Sequence, residues 1–161
     1  MPQIERRLAA LGLILPAPIK PPPGTVLLFP FVNIRGATAY VSGHGPLAPD
    51  GSLAGPLGRV GAEVTPEEAE RLAGLTALAV LASLREALGG LDRITGWNRV
   101  FGMVNAAPDF MAHPRVINGF SRLILDVFGP LTGRHARSAV GLASLPFGIA
   151  VEVEAEVSIA A

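Results

Sequence analysis

The stretch RHARSAVGLASLPFGIAVEVEAEV, residues 134–157, reads as two strands joined by a short turn. Its second half alternates without a fault. Val151, Val153, Ala155 and Val157 fall on one face and Glu152, Glu154 and Glu156 on the other, the pattern of a half-buried strand. The first half is less regular. In a hairpin turning near Phe147, Val140 and Leu142 face the core, and Arg137, Ala139, Gly141 and Ala143 face away. That second face is small rather than polar. Solvent selects Lys, Thr or Glu on an open sheet, so the pattern favours another protein surface packed there over a plain solvated face.

The same hairpin places Glu152 opposite about Leu142, roughly five rungs or on the order of 17 Å from Arg137. A salt bridge within one chain is therefore disfavoured. Arg137 is left to meet a glutamate of a neighbouring copy or a ligand carboxylate, which suits the planar guanidinium fork.

Working outward, HPRVINGFSRLILDVFG (113–129) is a helix. Val116, Ile117, Phe120, Leu123, Ile124 and Val127 follow the 3.6 period, Pro114 stands in the first turn and Gly129 follows the last. A strand, ITGWNRVFGMVN (94–105), precedes it. Before that, Thr65 caps a helix with Pro66 at its first position and Glu68 closing a capping box. This helix runs to about Leu88 and stops at Gly89-Gly90. It is apolar nearly all round from Leu72 to Leu84, so most of its circumference is expected to be buried.

TVLLFPFVNI (25–34) and ATAYVSG (37–43) read as strands, with Pro30 better suited to an edge or bulge than to a sheet centre. Residues 44–62 form a Gly- and Pro-rich loop. The N-terminal MPQIERRLAALGLILPAPIK reads as a short amphipathic helix rather than a signal, because its apolar run is brief and prolines follow at once. Residues 1–25 are thus an N-terminal helix with a proline-rich connector, APIKPPPG (17–24), and residues 26–161 a single domain. The order ββαβαββ predicts an α+β fold with two helices on one face of a mixed sheet.

Composition narrows the function. Half of the 161 residues are hydrophobic and 16% are charged, enough to fill a core. Basic and acidic residues balance at 13 each, so no positive field draws in nucleic acid and no polybasic run suits a membrane surface. The longest apolar stretch, Leu72–Leu84, is too short for a bilayer, which needs about 20 residues. A soluble, cytoplasmic protein is expected. There is no cysteine, which excludes thiol catalysis and thiolate metal sites.

His44, His113 and His135 stand apart without ligand spacing. Each reads as a surface or hydrogen-bonding residue, and no metal or cofactor is expected. SGHGPLAPDG (42–51) is glycine-rich but lacks the lysine of a phosphate loop. Ser42 has no nucleophile elbow. Asn118, by pattern alone, belongs to an exposed helix face.

These motifs resemble a known family. GRHARSAVGLASLPFGIAVEVEAEV resembles the carboxy-terminal signature of the YjgF/RidA family. GATAYVSGHGPLAPDG resembles its strand and Ser-Gly-Gln-x-Pro loop, with His44 in place of the glutamine, and VINGFSRLILDVFG resembles its second helix. The likeness covers about residues 26–159. The long N-terminus and RVGAEVTPEEA resemble a less characterised branch.

The resemblance implies a chorismate-mutase-like fold and a homotrimer packed sheet to sheet, with a cleft at each subunit interface. It also implies cofactor-free hydrolysis of reactive imines and enamines, such as 2-aminoacrylate, to 2-keto acids and ammonia. By position, Arg137 matches the arginine that holds the substrate carboxylate, and Glu152 the acidic residue that positions or activates water. Gly43 matches a cleft glycine whose carbonyl orients ligand, and Asn118 a polar residue near the cleft. Ala139 replaces a frequent cysteine and Phe29 a common tyrosine, which makes the pocket more apolar. The alternatives are a non-catalytic binder of small carboxylate metabolites and, third, the endoribonuclease or translation inhibitor of family labels. Neutral charge and the lack of paired histidines count against the third.

Overall fold

The computed structural model describes residues 2–19, 21 and 23–160; Lys20 and Pro22 of the connector lie outside the described residues. The elements are α1 (Gln3–Ala10), β1 (Val32–Arg35), β2 (Thr38–His44), α2 (Pro66–Leu88), β3 (Ile94–Asn105), α3 (His113–Gly133), β4 (Ala136–Leu142) and β5 (Val151–Ile159).

The helices begin and end where side-chain chemistry places them. Thr65 accepts from the Glu68 backbone while the Glu68 carboxylate takes the Thr65 N–H, so the capping box of α2 is complete. Gly89, at φ 73°, ends α2 in a left-handed turn that glycine enters without strain. The middle of α2 is buried on nearly every side, as its apolar composition requires. The regular run of α3 breaks at Gly129 (φ 72°), and one further turn follows from Pro130.

Helices α2 and α3 approach closely at Gly119, where a Cβ would strike the Glu70 carbonyl. Surface pairs Arg115–Glu67 (2.6 Å) and Arg122–Glu70 (2.8 Å) flank this crossing. Their exposure makes them minor contributors beside the apolar contact. At the other end of the chain, Asp92 receives the Gln3 and Ile4 N–H groups at the start of α1, at 2.7 and 2.8 Å. A carboxylate there offsets the helix dipole. Leu8 of α1 joins the core, and Arg7 reaches the Asp126 carbonyl on α3.

The sheet runs β1-β2-β5-β3-β4, antiparallel except for the parallel pair β3–β4. Two expectations fail here. The closing segment is not a hairpin: β3 lies between β4 and β5, and the eight residues 143–150 cross over it. The facing of β4 is also inverted. Arg137, Ala139 and Gly141 lie opposite Val100, Gly102 and Val104, which are buried on the helix face. Directly paired residues share a face, so Arg137, Ala139 and Gly141 turn toward α3, while Val140 and Leu142 turn away. A Cβ on Gly141 would strike the His113 ring of α3, and one on Gly102 would come within 2.6 Å of Ile117.

The strand expected over 25–34 shrinks to β1. Gly36 (φ 56°) closes a tight hairpin with Arg35 opposite Thr38, and pairing stops at Val32–Val41 because β2 bulges between Val41 and His44. Beyond Val32 the Phe31 and Pro30 carbonyls accept from Ser42, but Pro30 cannot donate; residues 25–31 remain outside the sheet, and Val26 and Leu28 are largely exposed.

Candidate functional site

The expected site residues fall into two groups, one at the free edge of β4 and one at the β2 bulge. At the edge, Arg137 lies along α3. Its Nη1 donates to Asn118 Oδ1 (3.0 Å) and Ser121 Oγ (3.1 Å), and its Nη2 donates to the Pro114 carbonyl (3.2 Å). Pro114, Asn118 and Ser121 stand at i, i+4 and i+7, so one stripe of α3 presents all three acceptors. All three are neutral, and among the described residues no carboxylate forms an ion pair with the guanidinium. Partial burial pulls the Arg137 pKa below the ordinary arginine value. Ala139 follows on the same face, partly buried against the core.

At the bulge, Glu152 lies on the face of β5 away from the helices, opposite Met103. Its carboxylate end occupies the space that a Cβ on Gly43 would need, so a larger residue there would push the Glu152 side chain aside. Glu152 has no hydrogen bond or ion pair to the described residues. Burial raises its carboxyl pKa, and the neighbouring charge of Glu154 raises it further.

The bulge is held from behind. His44 is 1% exposed; its Nδ1–H donates to the Ser42 carbonyl (2.6 Å), and its Nε2 accepts from the Ser83 hydroxyl of α2 (2.8 Å). Burial lowers the His44 pKa, which keeps the ring neutral. Ser42 donates through N–H to the Phe31 carbonyl and through Oγ to the Pro30 carbonyl, both at 2.9 Å. Phe31 packs edge-on to His44, and Phe29 packs edge-on to Phe31. Phe29, 52% exposed, thus stands beside the bulge.

Within one chain the two groups do not meet. Arg137 sits at the Val100 rung and Glu152 at the Met103 rung, on strands either side of β3. That is about 10 Å along the strands and about 10 Å across them, and the side chains leave opposite faces. The sequence expectation that the pair stays apart agrees with this geometry, though the hairpin argument behind it does not. The outward surface also differs from the expected small-residue face. The face away from the helices carries Tyr40, Phe101, Met103 and Val140 beside the three glutamates, rather than Ala139 and Gly141. A shallow depression of about 120 Å³ opens there between Tyr40, Arg99, Phe101 and Glu154.

Ser121 is absent from the sequence expectations, though it follows Asn118 by about one helical turn. His135 is hydrogen-bonded, as one of the expected alternatives had it, but its place beside Ser121, like that of the Pro114 carbonyl, needed the fold. Among the described residues no cluster of three metal-ligating side chains exists, and no helix is long and apolar enough to cross a membrane.

A family profile described as "YjgF/chorismate mutase-like, putative endoribonuclease" matches residues 5–153. The chain belongs to the YjgF/RidA family. Its fold is accordingly the chorismate-mutase-like α+β sheet expected from the motifs. Protein TCP17 of Trypanosoma cruzi is 39% identical over 158 residues, covering 98% of this chain and 94% of that protein. Two solved structures superpose closely. Atu1372 of Agrobacterium tumefaciens, described as of unknown function, has a TM-score of 0.85 at 40% identity, covering 98% of this chain and 92% of that one. A "putative endoribonuclease" of Shewanella oneidensis has a TM-score of 0.88 at 30% identity, covering 98% and 100%. The similarity therefore includes α1 and the connector, not only the sheet and its two helices.

Proposed function

We propose that this chain is an imine/enamine deaminase-like hydrolase acting on small carboxylate-bearing imines, in clefts between copies of a homotrimer. The observation that carries the reading is the donor count on Arg137. A guanidinium has five N–H groups. Three are spent on Asn118, Ser121 and Pro114, which leaves one on Nε and one on Nη2. Those adjacent nitrogens form the side-on fork that takes a carboxylate bidentately. The fork is fixed by neutral partners and keeps its full charge for a ligand.

Each chain supplies half a site. Arg137 and Asn118 of one copy would anchor and orient the substrate carboxylate. Glu152, over Gly43 of a neighbouring copy, would take a proton from water as that water attacks the imine carbon. That proton passes to the imine nitrogen and gives a carbinolamine; the hydroxyl proton then moves to the same nitrogen as the C–N bond breaks and C=O forms, and a 2-keto acid and ammonia leave. A carboxylate with a raised pKa is a better base near neutrality than an ordinary surface glutamate. The unpaired β4 edge supports assembly, as do Tyr40, Phe101, Met103 and Val140, large side chains set among the glutamates of the outward sheet face, because open edges and clustered apolar side chains invite pairing. Phe29 and Ala139 would make the cleft apolar around the carboxylate.

The test generates 2-aminoacrylate from an amino acid in situ and follows keto-acid formation against the spontaneous rate, with light scattering on the same sample. Acceleration by a species of about three chain masses supports the reading. A clean monomer, or no acceleration over buffer, refutes it. Tight carboxylate binding without acceleration would instead favour a metabolite-binding protein.

A further inference from the structure

We infer that His135, acting through Ser121, is a positioning residue that sets the direction of the Arg137 hydrogen bonds. His135 and Arg137 are two residues apart, so both side chains leave the chain toward α3. The Nδ1 of His135 lies 2.8 Å from the Gly133 carbonyl, its Nε2 lies 2.9 Å from Ser121 Oγ, and Ser121 Oγ lies 3.1 Å from Arg137 Nη1.

The proton directions follow one from another. A carbonyl only accepts, so Nδ1 carries the hydrogen. The neutral ring then offers Nε2 as an acceptor, and Ser121 must donate to it. With its proton committed, Ser121 turns a lone pair toward the guanidinium. Arg137 Nη1 is thereby held between Ser121 and Asn118, and the Nε–Nη2 side stays free. The Trp97 ring of β3 lies 6.4 Å from the imidazole and walls it on another side.

Protonation of His135 would break this sequence. Nε2 would become a donor, the Ser121 proton would lose its acceptor, and two cations would share one oxygen. The groups facing His135 are Ser121 and the Gly133 carbonyl from α3, Trp97 from β3 and Arg137 from β4, of which only Arg137 is charged. Burial first, then Arg137, lowers the His135 pKa, so the neutral arrangement holds at neutral pH and fails on acidification below the ordinary histidine range.

Its functional consequence rests on Arg137 anchoring a carboxylate, but the arrangement itself can be tested without ligand. Nitrogen-15 NMR of the free protein should show His135 as the Nδ1–H tautomer and a slowly rotating Arg137 guanidinium. His135→Phe and Ser121→Ala should each free that rotation, and weaken pyruvate binding by roughly 5- to 10-fold, the scale of one hydrogen bond. His135→Gln supplies an acceptor that does not titrate. It should retain the slow rotation at neutral pH and abolish its loss in acid, which a merely structural role would not predict. An Nε2–H tautomer would overturn the inference, as would an Arg137 rotation unchanged in both His135→Phe and Ser121→Ala. If rotation responds as stated but wild type binds no pyruvate, the relay stands and the carboxylate reading alone fails.

Discussion

Replacing Arg137 probes the proposed chemistry most directly. The guanidinium has two roles in the structure: it satisfies three neutral acceptors on α3 and leaves an Nε–Nη2 fork for a ligand. Arg137→Ala removes both. The stability cost is expected to stay within about 1 kcal/mol, because the site is partly open and water can serve Asn118 and Ser121. The catalytic cost should be larger. Loss of a charge-assisted bidentate contact costs about 2–5 kcal/mol, which corresponds to roughly 30- to 5000-fold in kcat/KM. Arg137→Lys separates charge from geometry. An ammonium has three donors and no planar fork, so it cannot serve the α3 acceptors and grip a carboxylate along one edge. Lysine should therefore recover only part of the loss. The assay compares kcat/KM for keto-acid formation from 2-aminoacrylate, with thermal unfolding as a folding control. Refutation would be a well-folded Arg137→Ala protein as active as wild type, or full activity with lysine.

Glu152→Gln should lower kcat with little change in KM. It should also raise the melting temperature above about pH 4.5, since a carboxyl whose pKa is raised in the fold costs stability once ionised; a lower melting temperature would contradict the desolvation argument. His44 is buried neutral with a lowered pKa, so unfolding exposes a ring that takes up a proton below about pH 6.5. Stability should be intact above that value and fall as pH drops toward the folded pKa, by at most about 1.4 kcal/mol per pH unit for this group. Urea unfolding of wild type against His44→Gln should show the slope reduced in the variant. Gly119→Ala places a methyl against the Glu70 carbonyl at the α2–α3 crossing and should destabilise by about 1–3 kcal/mol, read from denaturant midpoints.

Much of this architecture was legible because its signals are local. The Thr65–Glu68 capping box and Gly89 bound α2 through hydrogen bonds spanning three or four residues. The Val/Glu alternation of 151–157 fixes which side of β5 is buried, and the 3.6 period of 116–127 does the same for α3. The family signature in 133–157 named Arg137 and Glu152 without any structure. What local pattern could not supply was the neighbour of each strand. ARSAVGL has no clean alternation, so the facing of β4 depends on its partner. The α3 crossover delivers it parallel to β3, and pairing with Val100 and Gly102 turns Arg137 and Ala139 toward the helix. Likewise, Gly43 meets Glu152 only because a bulge interrupts β2 beside β5. Periodicity within an element reports which residues share a face; which face that is, and what lies across it, depends on contacts far apart in the chain and was decided only when the sheet closed in the order β1-β2-β5-β3-β4.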